Sequence, residues 1–247
     1  MIAIVMICTG MSMKVCGQSS PIEEARVEIY HGYLSGDERQ WERGLQKLQQ
    51  IERKQGSLEL KYEIALAQYG LIGFHLAKNK KEGLEKRLDE TIVLVQQILD
   101  RRPDHAAAHA LLGGLYGLKI GLRPARGIYL GPRSSKHIQI ATSEKPGHPA
   151  GWVEMGNAKF HTPMLLGGSI AEAISCFSKA VSLFNDNPVI KKYNWLYLHA
   201  LAWLAQAYEK ESKYAQALSI YQKILDYEPN FRWVRDELLP ALKSRMK

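Results

Sequence analysis

The chain has 247 residues, 46% of them hydrophobic and 23% charged, which is the balance of a folded protein and excludes a disordered one. That length suits one large domain or an extended array that buries its core unit by unit, and the formal charge of +8 says little until the charges are placed. Of three cysteines, Cys8 and Cys16 lie near the N-terminus and Cys176 stands alone in the body, so an internal disulfide framework and a CxxC metal site are excluded.

Residues 1–17 differ in character from the rest of the chain. An apolar run from Met1 to Met13 is interleaved with small residues and followed by Lys14 and Val15-Cys16-Gly17. It is too short to cross a bilayer, which needs about 20 residues. It fits the apolar core of a secretory signal, with Val15 and Gly17 as the small residues of a cleavage site, although no Lys or Arg precedes it. Lipid anchoring at Cys16 is disfavoured, because Lys14 puts a charge where small or apolar residues are needed. The expectation is cleavage near Gly17, export to the periplasm, and no transmembrane segment in the mature chain.

Ser20, Pro21 and Glu23 supply a capping box and a first-turn proline, predicting a helix to about Tyr33. Ser35 and Glu38 repeat the start signal, and Trp41, Leu45, Leu48 and Ile51 share one helical face until Gly56. A third helix is predicted over 58–78, with small residues Ala65, Ala67 and Gly70 where a neighbour could approach. A fourth spans 84–100, closed by Pro103. No segment alternates with period two, so the chain reads as all-α.

Pro103, Pro146, Pro188 and Pro229 are spaced by 43, 42 and 41 residues, and a fixed period of that size signals stacked helical hairpins. The last unit places Leu201, Leu204, Ala205 and Tyr208 on its first helix and Ala217, Tyr221 and Ile224 on its second. The preceding one has Trp152, Met155 and Gly156, then Ala173, Phe177 and Ala180. The one before that has Leu112, Gly113 and Tyr116. In each, a small residue lets the paired helix come close and aromatics fill the space between hairpins. This pattern resembles the tetratricopeptide repeat, W-x2-L-G-x2-Y…A-x3-F…P over about 34 residues. The resemblance covers residues 58–231 and implies a right-handed superhelical stack of antiparallel helix pairs. Residues 18–57 read as a degenerate first repeat and 232–247 as a capping helix covering the last apolar face.

Two units exceed the repeat length through extra residues between their helices: 122–135 (LRPARGIYLGPRSS) and 161–168 (HTPMLLGG). Both inserts occupy the same place in consecutive hairpins, so stacking predicts that they lie on one edge. Residues 105–142 carry Lys119, Arg123, Arg126, Arg133 and Lys136 and no Asp or Glu. These cations read either as neutralising helix C-termini or as a basic rim for an anionic ligand or acidic partner segment. Met164, Leu165 and Leu166 either fold back over the neighbouring insert as a small satellite core, which is the favoured reading, or form an apolar contact surface. His105 and His109 read as a helix-surface pair lacking a third metal ligand. Cys176 reads as a small buried hydrophobe. In peptide-binding relatives of the family an Asn at the place of Asn157 grips a peptide carboxylate, but the accompanying Lys is Val153 here. His199, Gln206 and Glu209 would face the same groove.

No phosphate loop, dinucleotide fingerprint, nucleophile elbow or HExxH occurs, so no enzyme, cofactor or metal is expected. Nucleic acid is disfavoured by the export signal and the lack of an aromatic ladder. The leading expectation is a non-catalytic exported scaffold for a protein or peptide partner in the cell envelope, with an acidic partner suiting the basic rim. The partner-binding candidates are Arg123, Arg126, Tyr129, Arg133, Asn157, His161, Met164 and Leu165. The alternative is an accessory subunit of an envelope transport system that binds an anionic or amphiphilic small molecule under the two inserts. An enclosed apolar cavity beneath them favours the alternative; an open groove favours the scaffold.

Overall fold

The computed structural model describes residues 20–247, and the signal-peptide and Cys16 readings lie outside the described residues. Among the described residues there are helices and turns and no strand. Ser20 Oγ accepts from the Glu23 amide (3.2 Å) to start α1 (Pro21–Ser35). Ser35 ends that helix, donating its hydroxyl to His31 O (2.7 Å), and does not cap the next one. Asp37 takes that role at α2 (Glu38–Gln55), its carboxylate accepting from the Arg39 and Gln40 amides, because a carboxylate at the cap also meets the positive end of the helix dipole. Gly56 ends α2 in a left-handed conformation. Helices α3 (Leu58–Ala77) and α4 (Leu84–Arg101) follow where the apolar period predicts them.

Next come α5 (Ala106–Leu122), α6 (Gly127–Glu144), α7 (Pro149–His161) and α8 (Ile170–Asp186). As the capping box predicts, Ser169 Oγ starts α8 by accepting from the Glu172 amide (3.2 Å). A one-turn helix α9 (Pro188–Lys191) leads into α10 (Trp195–Lys210) and α11 (Tyr214–Tyr227). A π-helical stretch, Trp233–Leu238, continues into α12 (Leu239–Arg245); Val234 and Leu242 are buried from this terminal element.

Packing joins α1 to α2, α3 to α4, α5 to α6, α7 to α8 and α10 to α11, giving five hairpins among the described residues, and successive hairpins stack through α2–α3, α4–α5, α6–α7 and α8–α10. This is an all-α, solenoid-like array. The small residues of the repeat make the close approaches expected of them: a Cβ on Gly156 would stand 2.6 Å from the Phe177 ring.

The array curves until its first hairpin meets its last. Tyr33 of α1 packs its ring 5.8 Å from Trp41, 5.5 Å from Trp195 and 5.0 Å from Phe231, and Trp41 lies 5.7 Å from Trp195. Tyr30 donates its hydroxyl to Glu228 (2.7 Å), Lys192 pairs with Glu23 (2.7 Å), and Arg232 donates to Ser35 O (3.3 Å). Aromatic side chains therefore fill the junction between the first and last hairpins.

Candidate binding surfaces

The first insert is mostly not a loop. α5 runs to Leu122, a single 3-10 turn covers Pro124–Arg126, and α6 begins at Gly127 and passes through Pro132. Pro132 lies in the second turn of α6, where its missing N–H removes one intrahelical bond. Tertiary contacts compensate. Leu130 and Ile138 are buried, and Ser134 donates its hydroxyl to Gly113 O of α5 (2.8 Å).

The basic residues of this insert are largely neutralised, by acidic side chains of α4 and not by helix ends. Arg123 pairs with Glu85 (2.8 Å), Arg126 pairs with the same carboxylate, and Lys119 pairs with Asp89. The hydrogen bond from Arg126, followed by Arg123, holds the Glu85 carboxyl below its ordinary pKa. Arg133 and Lys136 stay exposed on α6. Tyr129 is exposed, and Ile128 beside it is 89% exposed.

The second insert departs from its favoured reading. Met164, Leu165 and Leu166 do not fold back into a satellite core; they are 84%, 95% and 76% exposed on a 3-10 turn. Gly167 takes φ +92°, and Gly168 lies against the chain so closely that a Cβ would sit 1.8 Å from Thr162 O. This backbone turns the three side chains outward. His161, on the exposed flank of the same turn, sets its ring edge-on to Phe160 (4.9 Å) and Trp203 (4.7 Å). Because α5 packs on α7 and both inserts follow the C-terminal ends of those helices, Arg123, Arg126, Tyr129, His161, Met164 and Leu165 share one edge, as stacking predicts.

Asn157 lies apart from that edge, inside the fold. Its amide donates to Glu154 Oε2 (3.1 Å), which also accepts from the Tyr69 hydroxyl (2.9 Å), while Asn157 Oδ1 is buried without a partner. Glu154 is buried with no cation beside it, and burial pushes its pKa up to about 7, against the stabilising bonds from Asn157 and Tyr69. Sequence reasoning missed Glu154; its signal was a carboxylate three residues before Asn157, between the buried Val153 and Gly156.

The other groove candidates serve packing. His199 lies edge-on to Trp195 (5.8 Å) and Trp203 (5.9 Å), and burial lowers its pKa to about 3. Glu209 accepts from the Tyr221 hydroxyl (2.6 Å) and pairs with Arg245. His109 is no surface residue. Its Nε2 faces Pro103 O at 2.8 Å and so carries a proton, and its Nδ1 shares a hydrogen bond with His137 Nδ1 (2.8 Å). His105 caps α5, accepting from the Ala108 amide. Cys176 is buried, as its neighbours predict. No cluster of three or more metal-ligating side chains occurs among the described residues.

A cleft of about 300 Å³ opens at the other end of α7 from the inserts, where the N-terminal ends of α7 and α10 converge on the middle of α1 and the second and third turns of α3. Its walls include Ile29, Leu66, Phe184, Ile190 and Trp195, and its polar rim includes Arg26, Glu63, Lys192 and His148. Arg26 pairs with Glu63 (2.9 Å). His148 Nδ1 accepts from the Ala150 amide (3.3 Å), which puts the proton of the neutral ring on Nε2 as a free donor. Burial lowers the His148 pKa and keeps that ring neutral.

No protein-family model and no curated relative matches the chain. Among solved structures it is similar to the HusA haemophore from Porphyromonas gingivalis, with a TM-score of 0.63 and 17% identity over 78% of this chain and 96% of that one. It is also similar to a thermophilic TPR protein of Thermus thermophilus, with a TM-score of 0.57 and 18% identity over 91% of this chain and 94% of that one. At these identities the likeness is one of fold. No described helix is long and apolar enough to cross a membrane.

Proposed function

We propose that this chain is an exported, non-catalytic helical-repeat protein that binds an apolar group ending in a carboxylate, and that the cleft at the helix N-termini is the site. The observation that carries the reading is the closure of the array: aromatic packing fills the junction of the first and last hairpins, and beside it lies an apolar-walled cleft with Arg26, Lys192 and Glu63 on its rim. Helix N-termini favour negative charge through their free amides and dipole. Arg26 and Lys192 stand on the rim paired with Glu63 and Glu23, partners that a ligand carboxylate must displace, and His148 adds a neutral donor. At about 300 Å³ the cleft is at the small end of ligand sites. The same chemistry arises from a small amphiphile or from the C-terminus of an apolar peptide, so protein recognition remains within this reading. The word haemophore in the name of one structural neighbour supports a ligand-carrying role and makes haemin a third probe.

Calorimetric titration of the full chain with decanoate, with haemin, and with an apolar tetrapeptide bearing a free or amidated C-terminus tests the proposal. At least one carboxylate probe is expected to bind saturably. The double variant Arg26→Ala with Lys192→Ala should weaken that binding about tenfold, equivalent to about 1.4 kcal/mol. Absence of saturable binding by every carboxylate probe, or equal binding of decyltrimethylammonium, rejects the site.

A further inference from the structure

The turn between α7 and α8 presents three consecutive large apolar side chains to solvent on a backbone that is hydrogen-bonded in place. Leu166 N–H donates to Pro163 O (2.8 Å), Gly167 N–H to Met164 O (3.0 Å), Gly168 N–H to Pro163 O (3.1 Å) and Ser169 N–H to Lys159 O (2.9 Å). Lys159 adds a side-chain bond to Gly167 O (3.3 Å). The exposure of the tip is therefore a property of an ordered turn.

A 3-10 turn has about three residues per revolution, so successive side chains diverge around its axis. Met164, Leu165 and Leu166 thus point in three directions from one convex tip. A flat protein patch covers one or two of those directions. Burying all three requires a medium that surrounds the tip, which fluid acyl chains do without a preformed socket. Ile128 and Tyr129 stand on the same edge one hairpin earlier. Uncompensated charge on this side is positive: Lys210 lies over the Phe160 ring at 3.9 Å beside the turn, and Arg133 and Lys136 are exposed farther along α6. The neighbouring carboxylates Glu85 and Glu172 are already paired, with Arg123 and Arg126 and with Lys159.

We propose that this edge docks the protein on an anionic lipid surface, with the Met164–Leu166 tip and Ile128 entering the boundary between headgroups and acyl chains and the flanking cations meeting lipid phosphates. The argument is independent of the cleft, and either stands without the other. Tyr129 sits where an interfacial aromatic is favourable, its ring apolar and its hydroxyl wet.

The test is sedimentation of the full chain with vesicles of phosphatidylcholine and phosphatidylglycerol at three to one, and with phosphatidylcholine alone. The segment of residues 1–17 is common to every variant, so differences between variants report on the edge. Changing Met164, Leu165 and Leu166 together to Ser should lower partitioning into the anionic vesicles at least tenfold, and Arg133→Glu with Lys136→Glu at least threefold. Val93→Ser removes an exposed apolar side chain (52% exposed) in the middle of α4, outside both the tip and the cleft, and should change nothing. Independently, Leu165→Trp should add a fluorescence component that shifts to the blue and is quenched by acyl-brominated lipid. Equal sedimentation of the triple Ser variant and wild type, an equal loss with Val93→Ser, or an unquenched indole in the Leu165→Trp variant overturns the proposal, and a tip that instead docks on a protein gives the first and last of these results.

Discussion

Glu154 is the residue whose chemistry is least like that of its type. Its folded pKa of about 7 against an ordinary 4.5 means that between those values the native state keeps a proton that the unfolded chain has lost. Stability from this group is therefore greatest below about pH 4.5, falls as the pH rises, and reaches its minimum above about pH 7. A shift of that size corresponds to roughly 3–4 kcal/mol in full, of which roughly 2–3 kcal/mol falls between pH 5 and pH 8. Glu154→Gln keeps an oxygen to accept from Tyr69 and removes the titration. Urea unfolding of both proteins at pH 5 and pH 8 gives a double difference in which other groups cancel. The variant should gain roughly 2–3 kcal/mol on wild type between the two pH values, and a gain that does not change with pH would place the Glu154 carboxyl in contact with water. A mutational probe of the Asn157 amide should be read alongside, since Asn157 and Glu154 share the bond.

At the scale of the element, the turn 161–168 separates two uses of glycine. Gly167 has open space where a side chain would go but a left-handed φ of +92°, so Gly167→Ala should cost about 1–2 kcal/mol through backbone strain alone. Gly168 meets Thr162 O at a distance no Cβ tolerates, so Gly168→Ala must reorganise the turn and should cost more, about 2–4 kcal/mol. Thermal and urea unfolding measure both, and an inverted order would mean that the turn relaxes around the methyl group added at Gly168. The same elements mark what a sequence reveals. The proline period was legible because a proline stops a helix by local sterics, and the start of α8 was legible because Ser169 and Glu172 are neighbours. Helix α6 was hidden because Pro132 signals a break locally while Leu130, Ser134 and Ile138 hold the helix against α5. Exposure of Met164, Leu165 and Leu166 was equally illegible, because their hydrophobicity argues for burial and only the backbone path set by Gly167 and Gly168 turns them outward.

The whole molecule departs from a simple repeat array at its ends. A linear solenoid holds each unit only through its neighbours, so terminal units fray independently. Here Tyr33 near the start of the chain packs on Trp195 and Phe231 near its end, and Tyr30 bonds to Glu228. Pairings so distant in sequence leave no periodic trace, which is why the sequence supports an open groove and the fold closes it. Closure makes the first and last hairpins one cooperative unit. In hydrogen exchange, the amides of α1–α2 and of α10–α11 should open with similar free energies, above those of a freely fraying end. Tyr33→Ala removes a large ring from the junction and should cost about 3–5 kcal/mol. Its signature is spatial: exchange should accelerate together in α1–α2 and α10–α11, while the central α5–α6 hairpin loses protection last. Acceleration confined to α1–α2 would mean that the N-terminal hairpin rests on the array without bracing it. The cleft lies at this junction, with Ile29 on one wall and Trp195 on another. A ligand seated there bridges the two ends, so decanoate or haemin at saturating concentration should restore part of the protection that Tyr33→Ala removes, in both terminal hairpins at once.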